Sequence, residues 1–152
     1  MFVRALSLLA VTGLLGVFAF AADDAKKEEV KKPELKCVVA GTPAKADKTA
    51  DYKGGKVQFC CDNCKAKFEA DPAKYAVAAN AQLFQTGQFT QVKCPLSGGP
   101  TKADKTVEVG SLKVAFCCEN CQGKVAGEKD AAKQKELVFS DAAFTKGFAL
   151  KK

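Results

Sequence analysis

Eight cysteines and no histidine bound the chemistry open to this chain of 152 residues. Without an imidazole there can be no Ser-His-Asp or Cys-His nucleophile pair, no His-ligated catalytic zinc and no His-held haem. The thiols form two sets, Cys37, Cys60, Cys61 and Cys64, then Cys94, Cys117, Cys118 and Cys121, and an offset of 57 residues superimposes one on the other. A thiol at the end of a strand and another four residues on, in the first turn of a helix, can point at one centre. A turn must then bring the first thiol of the set across. Helix amino-terminal amides favour the thiolates, and such a cluster suits soft or borderline metal ions, Cu⁺ or Zn²⁺. All eight cysteines are therefore candidate metal ligands. The competing use is structural: each set of four allows three disulfide pairings, and a strained Cys60–Cys61 bond is disfavoured against Cys37 paired with Cys60, Cys61 or Cys64. Cys61 and Cys64 also form a Cys-x-x-Cys, but nothing around them suggests the parallel sheet of a thiol oxidoreductase.

The text between the cysteines repeats as well. Lys45-Ala46-Asp47-Lys48-Thr49 returns as Lys102-Ala103-Asp104-Lys105-Thr106, and Phe59-Cys60-Cys61-Asp62-Asn63-Cys64 as Phe116-Cys117-Cys118-Glu119-Asn120-Cys121. Duplication of one unit explains this economically. Within a unit, Gly41-Thr42-Pro43 and Ser97-Gly98-Gly99-Pro100 are turn signals just after the first cysteine. Gly54-Gly55 is expected to turn a hairpin, and Lys56–Phe59 and Leu112–Phe116 alternate as strands. Asp62 or Asn63 is expected to cap the next helix, and Asp71-Pro72 to start another that runs to about Gln82. The expected fold is α+β, two tandem small modules, each a β-hairpin followed by helix, at residues 36–82 and 93–138. Residues 83–92 read as a linker. Residues 139–152 read as a closing segment, since Phe144-Thr145-Lys146-Gly147-Phe148 echoes Phe84-Gln85-Thr86-Gly87-Gln88-Phe89. A unit of about 45 residues buries too little to fold without a metal or disulfide staple, and each carries a full cysteine set of its own.

Cys94-Pro95-Leu96-Ser97-Gly98, the strand ending Phe59-Cys60-Cys61, and Cys64, Phe68, Asp71-Pro72 and Tyr75 together resemble the YHS domain and the related TRASH-like heavy-metal-binding module. The resemblance implies a treble-clef, zinc-finger-like fold in two tandem copies. It places Cys37, Cys60 and Cys64, and likewise Cys94, Cys117 and Cys121, on metal-ligand positions. Related fingers often have a second cysteine where this chain has Ala40 and Ser97. Cys61 and Cys118 could supply the fourth thiolate, or each site could be three-coordinate and suited to Cu⁺. The second unit lacks the phenylalanine (Val125), the Asp-Pro and the tyrosine of the pattern.

The first 21 residues, with Arg4, an apolar run to Phe20 and a small-residue Ala19-Phe20-Ala21 ending, read as a cleaved signal peptide. Residues 22–35 read as a charged, flexible tether. The protein is thus expected to be exported, periplasmic or secreted, with no membrane span once the leader is gone. The net charge of +7 is spread as lysine mixed with Asp and Glu, so no nucleic-acid stripe is visible. No carboxylate pair has catalytic spacing, and the Gly-Gly turns lack the Gly-Lys-Ser/Thr of a phosphate loop. The chain is read as non-enzymatic, its partners a metal ion and another metal-handling protein.

Overall fold

Hairpin, then helix, occurs twice along the chain. The structure, a computed structural model, describes residues 34–152; the stretch read as a signal peptide, and all but the end of that read as a tether, lie outside the described residues. Strands β1 (Lys45–Tyr52) and β2 (Gly55–Phe59) pair antiparallel and lead to helix α1 (Asp62–Ala70). Strands β4 (Lys102–Val109) and β5 (Leu112–Phe116) pair in the same register and lead to α3 (Glu119–Ala126). The repeated Lys-Ala-Asp-Lys-Thr is a bulge in both: the register slips between Lys45 and Thr49, and again between Lys102 and Thr106.

The hairpin turn falls on Lys53-Gly54 rather than Gly54-Gly55. Both residues have positive φ, 53° and 85°, which is the type I′ geometry that matches strand twist. Gly55 instead lies buried in β2, where a Cβ would meet Leu83 at 2.7 Å. The cap of α1 falls on Cys61, which is extended, while Asp62 is already helical. A 3₁₀ turn at Ala73–Tyr75, after Pro72, precedes α2 (Ala76–Gln85), so the second helix starts later than Asp71-Pro72 suggests. The second repeat has no such turn. It continues through α4 (Ala131–Phe139), capped by Asp130, whose side chain accepts from the Ala132 N–H, and α5 (Asp141–Gly147).

Residues 83–92 are not a bare linker. They complete α2 and form β3 (Phe89–Gln91), which pairs antiparallel with β6 (Phe148–Leu150) of the C-terminal segment. The echoing phenylalanines meet at this seam. Phe84 and Phe148 are 4.9 Å apart, Phe89 and Phe144 5.0 Å, and Phe144 stacks on Phe148 at 4.9 Å. Phe139 joins them from α4, and α2 packs on α4. Residues of both repeats thus belong to one hydrophobic core, within a single compact unit. Val125, the counterpart of Phe68 at the 57-residue offset, is fully buried just as Phe68 is. Among the described residues no helix is long and apolar enough to cross a membrane.

Candidate metal centres

Three elements converge at each site. After Cys37 the chain doubles back: the Cys37 N–H donates to the Thr42 carbonyl at 2.7 Å, and the Gly41 N–H to the Cys37 carbonyl at 2.8 Å. Gly41 takes φ 69° to close the loop, a conformation cheap for glycine alone. Cys94, Gly98 and Gly99 repeat the arrangement at 2.8 Å for each bond. The second thiol leaves the inner end of the hairpin, and the third comes from the first turn of α1 or α3.

Cys37, Cys60 and Cys64 place their sulfurs within 4.8 Å of one another, and so do Cys94, Cys117 and Cys121. Cys60 and Cys64 sulfurs are 3.5 Å apart, Cys117 and Cys121 sulfurs 3.8 Å. Metal–sulfur bonds of about 2.3 Å put sulfurs around one ion about 3.8–4.0 Å apart, so both clusters fit a soft cation with little movement. All eight cysteines are free thiols. Cys61 and Cys118, the remaining pair, lie outside the two triads. Their sulfurs are 3.7 Å from that of Cys60 and 3.6 Å from that of Cys117.

Two thiols of each triad are shifted in opposite directions. Burial pushes the Cys37 thiol up, but the backbone N–H groups of Ala40, Cys60 and Val39 outweigh it and hold the group below its ordinary value. Cys94 is lowered to about 6: against burial stand the Ser97 hydroxyl and the amides of Ser97, Cys117 and Leu96. Cys64 is pushed up to about 12 by its hydrogen bond with Cys60 and by burial, and Cys121 to about 12 by burial and the neighbouring Cys118 and Cys117. In each triad one thiol is thus lowered and another raised, and a cation that binds all three must displace the proton held on the raised one. Cys61 and Cys118 are lowered, first by the amides of Cys64 and Cys121 at the helix starts.

Several positioning groups escape the cysteine pattern. Buried Gln82 accepts from the Gln58 N–H at 2.6 Å and donates to the carbonyls of Lys36 (2.9 Å) and Gln58 (3.0 Å), tying the backbone next to Cys37 to β2. Gln88 pairs in the same way with Lys56, and Gln91 with Ala115. Amide side chains here stand in for a third strand along the free edges of β2 and β5. Lys48 reaches from the bulge to Asp62 at 2.9 Å, and Lys105 to Glu119 at 2.9 Å. Asp62 raises the Lys48 pKa, with smaller contributions from Asp47 and Cys61. One difference between the sites reaches a ligand: Ser97 Oγ lies 3.0 Å from Cys117 Sγ, where the first site has Ala40. That serine is visible in the sequence as the place of an absent cysteine, but its contact is not.

Residues 39–79 match the YHS domain. The match takes in Cys60 and Cys64, begins two residues after Cys37, and lies within the first repeat. No curated protein and no solved structure matches the chain.

Proposed function

We propose that the protein is an exported, non-enzymatic carrier that holds soft metal ions, Cu⁺ or Zn²⁺, through cysteine thiolates, one ion per repeat. The observation that carries this reading is the pair of three-sulfur clusters, each within 4.8 Å, built twice from the same elements. The YHS match over 39–79 supports it, and the second repeat is taken as a diverged copy of that domain. Three thiolates suit three-coordinate Cu⁺, whereas Zn²⁺ needs a fourth donor. Magnesium or calcium would want oxygen ligands, which the clusters do not offer. Export rests on the leader-like residues 1–21, and a metal-handling protein is the proposed recipient.

The test is native mass spectrometry of the reduced protein titrated with Cu⁺ or Zn²⁺, alongside a free-thiol count. Two bound ions are expected, falling to one when Cys94, Cys117 and Cys121 are changed to serine. A protein isolated with no titratable thiols, and indifferent to metal after gentle reduction, would be a disulfide-stapled scaffold instead.

A further inference from the structure

On the reading just proposed, six thiols hold the cargo and two do not, and the spare pair is placed alike in both repeats. Cys61 and Cys118 each occupy the extended residue ahead of a helix, with φ and ψ of −159° and 167° in one and −157° and 167° in the other. An extended chain sends successive side chains to opposite sides. Cys60 and Cys117 accordingly turn inward to the triads, while Cys61 is exposed and Cys118 half-buried. Each spare sulfur still stays within 3.7 Å of a triad sulfur. A merely structural thiol gains nothing from such a position and risks oxidation there.

The surroundings are also repeated. A lysine from the bulge, Lys48 or Lys105, is anchored at 2.9 Å to the acidic residue that follows the spare cysteine. At the second site Lys102, Lys105, Cys118, Glu119 and Asn120 line a shallow depression of about 330 Å³, so the thiol opens onto a recess where two lysines face Glu119, and Lys105 also pairs with Asp104 at 3.1 Å.

We infer that Cys61 and Cys118 are receiving thiols, through which the soft cation passes between the triads and an anionic thiolate complex in solution. A Cu⁺ ion bound by two thiolates carries one negative charge, and Lys48 and Lys105 offset the carboxylates beside the spare thiols that would repel it, Asp47 and Asp62 in one repeat and Asp104 and Glu119 in the other. The spare sulfur bonds to copper and displaces one donor thiolate, which leaves with the proton the cysteine gives up. Cys60 or Cys117 then takes over the ion at a distance of one sulfur–sulfur contact, the other two triad thiols follow, and the spare thiol is re-protonated. One Cu⁺ bis-thiolate and three protein thiols yield the trithiolate complex, two free thiols and one proton. Copper remains Cu⁺ throughout and no electron is transferred.

The experiment is stopped-flow loading of the reduced, metal-free protein with Cu⁺ supplied as its glutathione complex, read by copper–thiolate ultraviolet absorbance. Folding of each variant is checked by circular dichroism. The Cys61→Ser, Cys118→Ser double variant is expected to bind two ions with unchanged affinity but to load about tenfold more slowly, a barrier difference of about 1.4 kcal/mol. Lys48→Ala with Lys105→Ala, which keeps every thiol, is expected to slow loading severalfold at low salt, with the difference fading at high salt. Loading of the cysteine variant at the wild-type rate would overturn the inference. So would loss of stoichiometry or affinity, which would make Cys61 and Cys118 resident ligands. If the wild-type protein takes up no Cu⁺ at all, the copper-carrying reading itself fails, and the exchange role with it.

Discussion

Phe144→Ala tests whether the two repeats are one folding unit. Phe144 is 1% exposed, stacks on Phe148, lies 5.0 Å from Phe89 and sits beneath Lys53 Nζ at 5.5 Å. Phe89 and Lys53 belong to the first repeat, so the ring bridges both. Truncating a buried phenylalanine costs about 3–5 kcal/mol, most of it lost transfer energy and cavity. That is a large share of the roughly 5–15 kcal/mol expected for a domain of this size, and corresponds to about 10–20 °C in Tm. Urea unfolding of the reduced, metal-free protein provides the assay. The chain has no tryptophan, and its two tyrosines, Tyr52 and Tyr75, both lie in the first repeat. Tyrosine fluorescence therefore reports on a repeat that does not contain residue 144. With a shared core the tyrosine transition moves by the full amount and coincides with the circular-dichroism transition. A tyrosine midpoint that stays put while circular dichroism shows an earlier, separate step would refute the single core.

Gln82→Leu should be felt at one site only. It strands the Gln58 N–H and the carbonyls of Lys36 and Gln58, which costs about 2–3 kcal/mol. Titrated by native mass spectrometry, the Cys94 site is expected to keep its ion while the Cys37 site loses affinity; equal weakening of both would contradict the local role. The inter-repeat contact at Asp141 adds a pH dependence. Lys53, then Asn80 and Tyr52, hold the Asp141 carboxyl below its ordinary pKa against partial burial, so its contribution is present above about pH 4 and lost as pH falls through the lower folded value. Tyr52 is raised to about 12 by burial and by Asp141, so the stability it adds is present below its unfolded pKa of about 10 and lost as pH rises toward 12. Asp141→Asn should remove the part of the acid limb that Asp141 supplies and lessen the alkaline limb, whose larger cause, the burial of Tyr52, remains; both are read from thermal melting against pH, and an unchanged curve would count against the contact.

The triads were legible because ligand geometry is local. Cys60 ends the hairpin and Cys64 follows four residues on, in the first turn of α1, and Gly41 and Gly98 mark the loops that return Cys37 and Cys94. The hairpins followed from alternation in Lys56–Phe59 and Leu112–Phe116. Non-local pairing left weaker traces. The echo of Phe84–Phe89 in Phe144–Phe148 signals a common element, yet nothing in either segment says that β3 and β6 pair with each other. Propensity misplaced the cap of α1 because Asp62 is a good cap residue, while the chain stays extended only as far as Cys61. Asp130 before α4 was a readable cap signal. The glutamine amides along β2 and β5 were not readable, since Gln82, Gln88 and Gln91 look in sequence like ordinary surface residues.

The shared core bears on what the metal is for. A finger of about 45 residues alone depends on its ion to fold, and an ion that holds the fold together cannot be given up without unfolding the module. Here Phe84 and Phe89 from one repeat close against Phe139, Phe144 and Phe148 from the other, and Asn80 of α2 donates to both the Phe139 carbonyl and Asp141 at 2.9 Å. Packing and polar contacts of that kind can hold the repeats together without help from the cysteines. The thiol clusters are then spared the task of folding the chain, and an ion bound there can leave with the scaffold intact. On the proposed carrier reading, the shared core thus separates folding from metal binding: what a lone finger would have to keep as structural metal, two repeats packed on one core would be free to release.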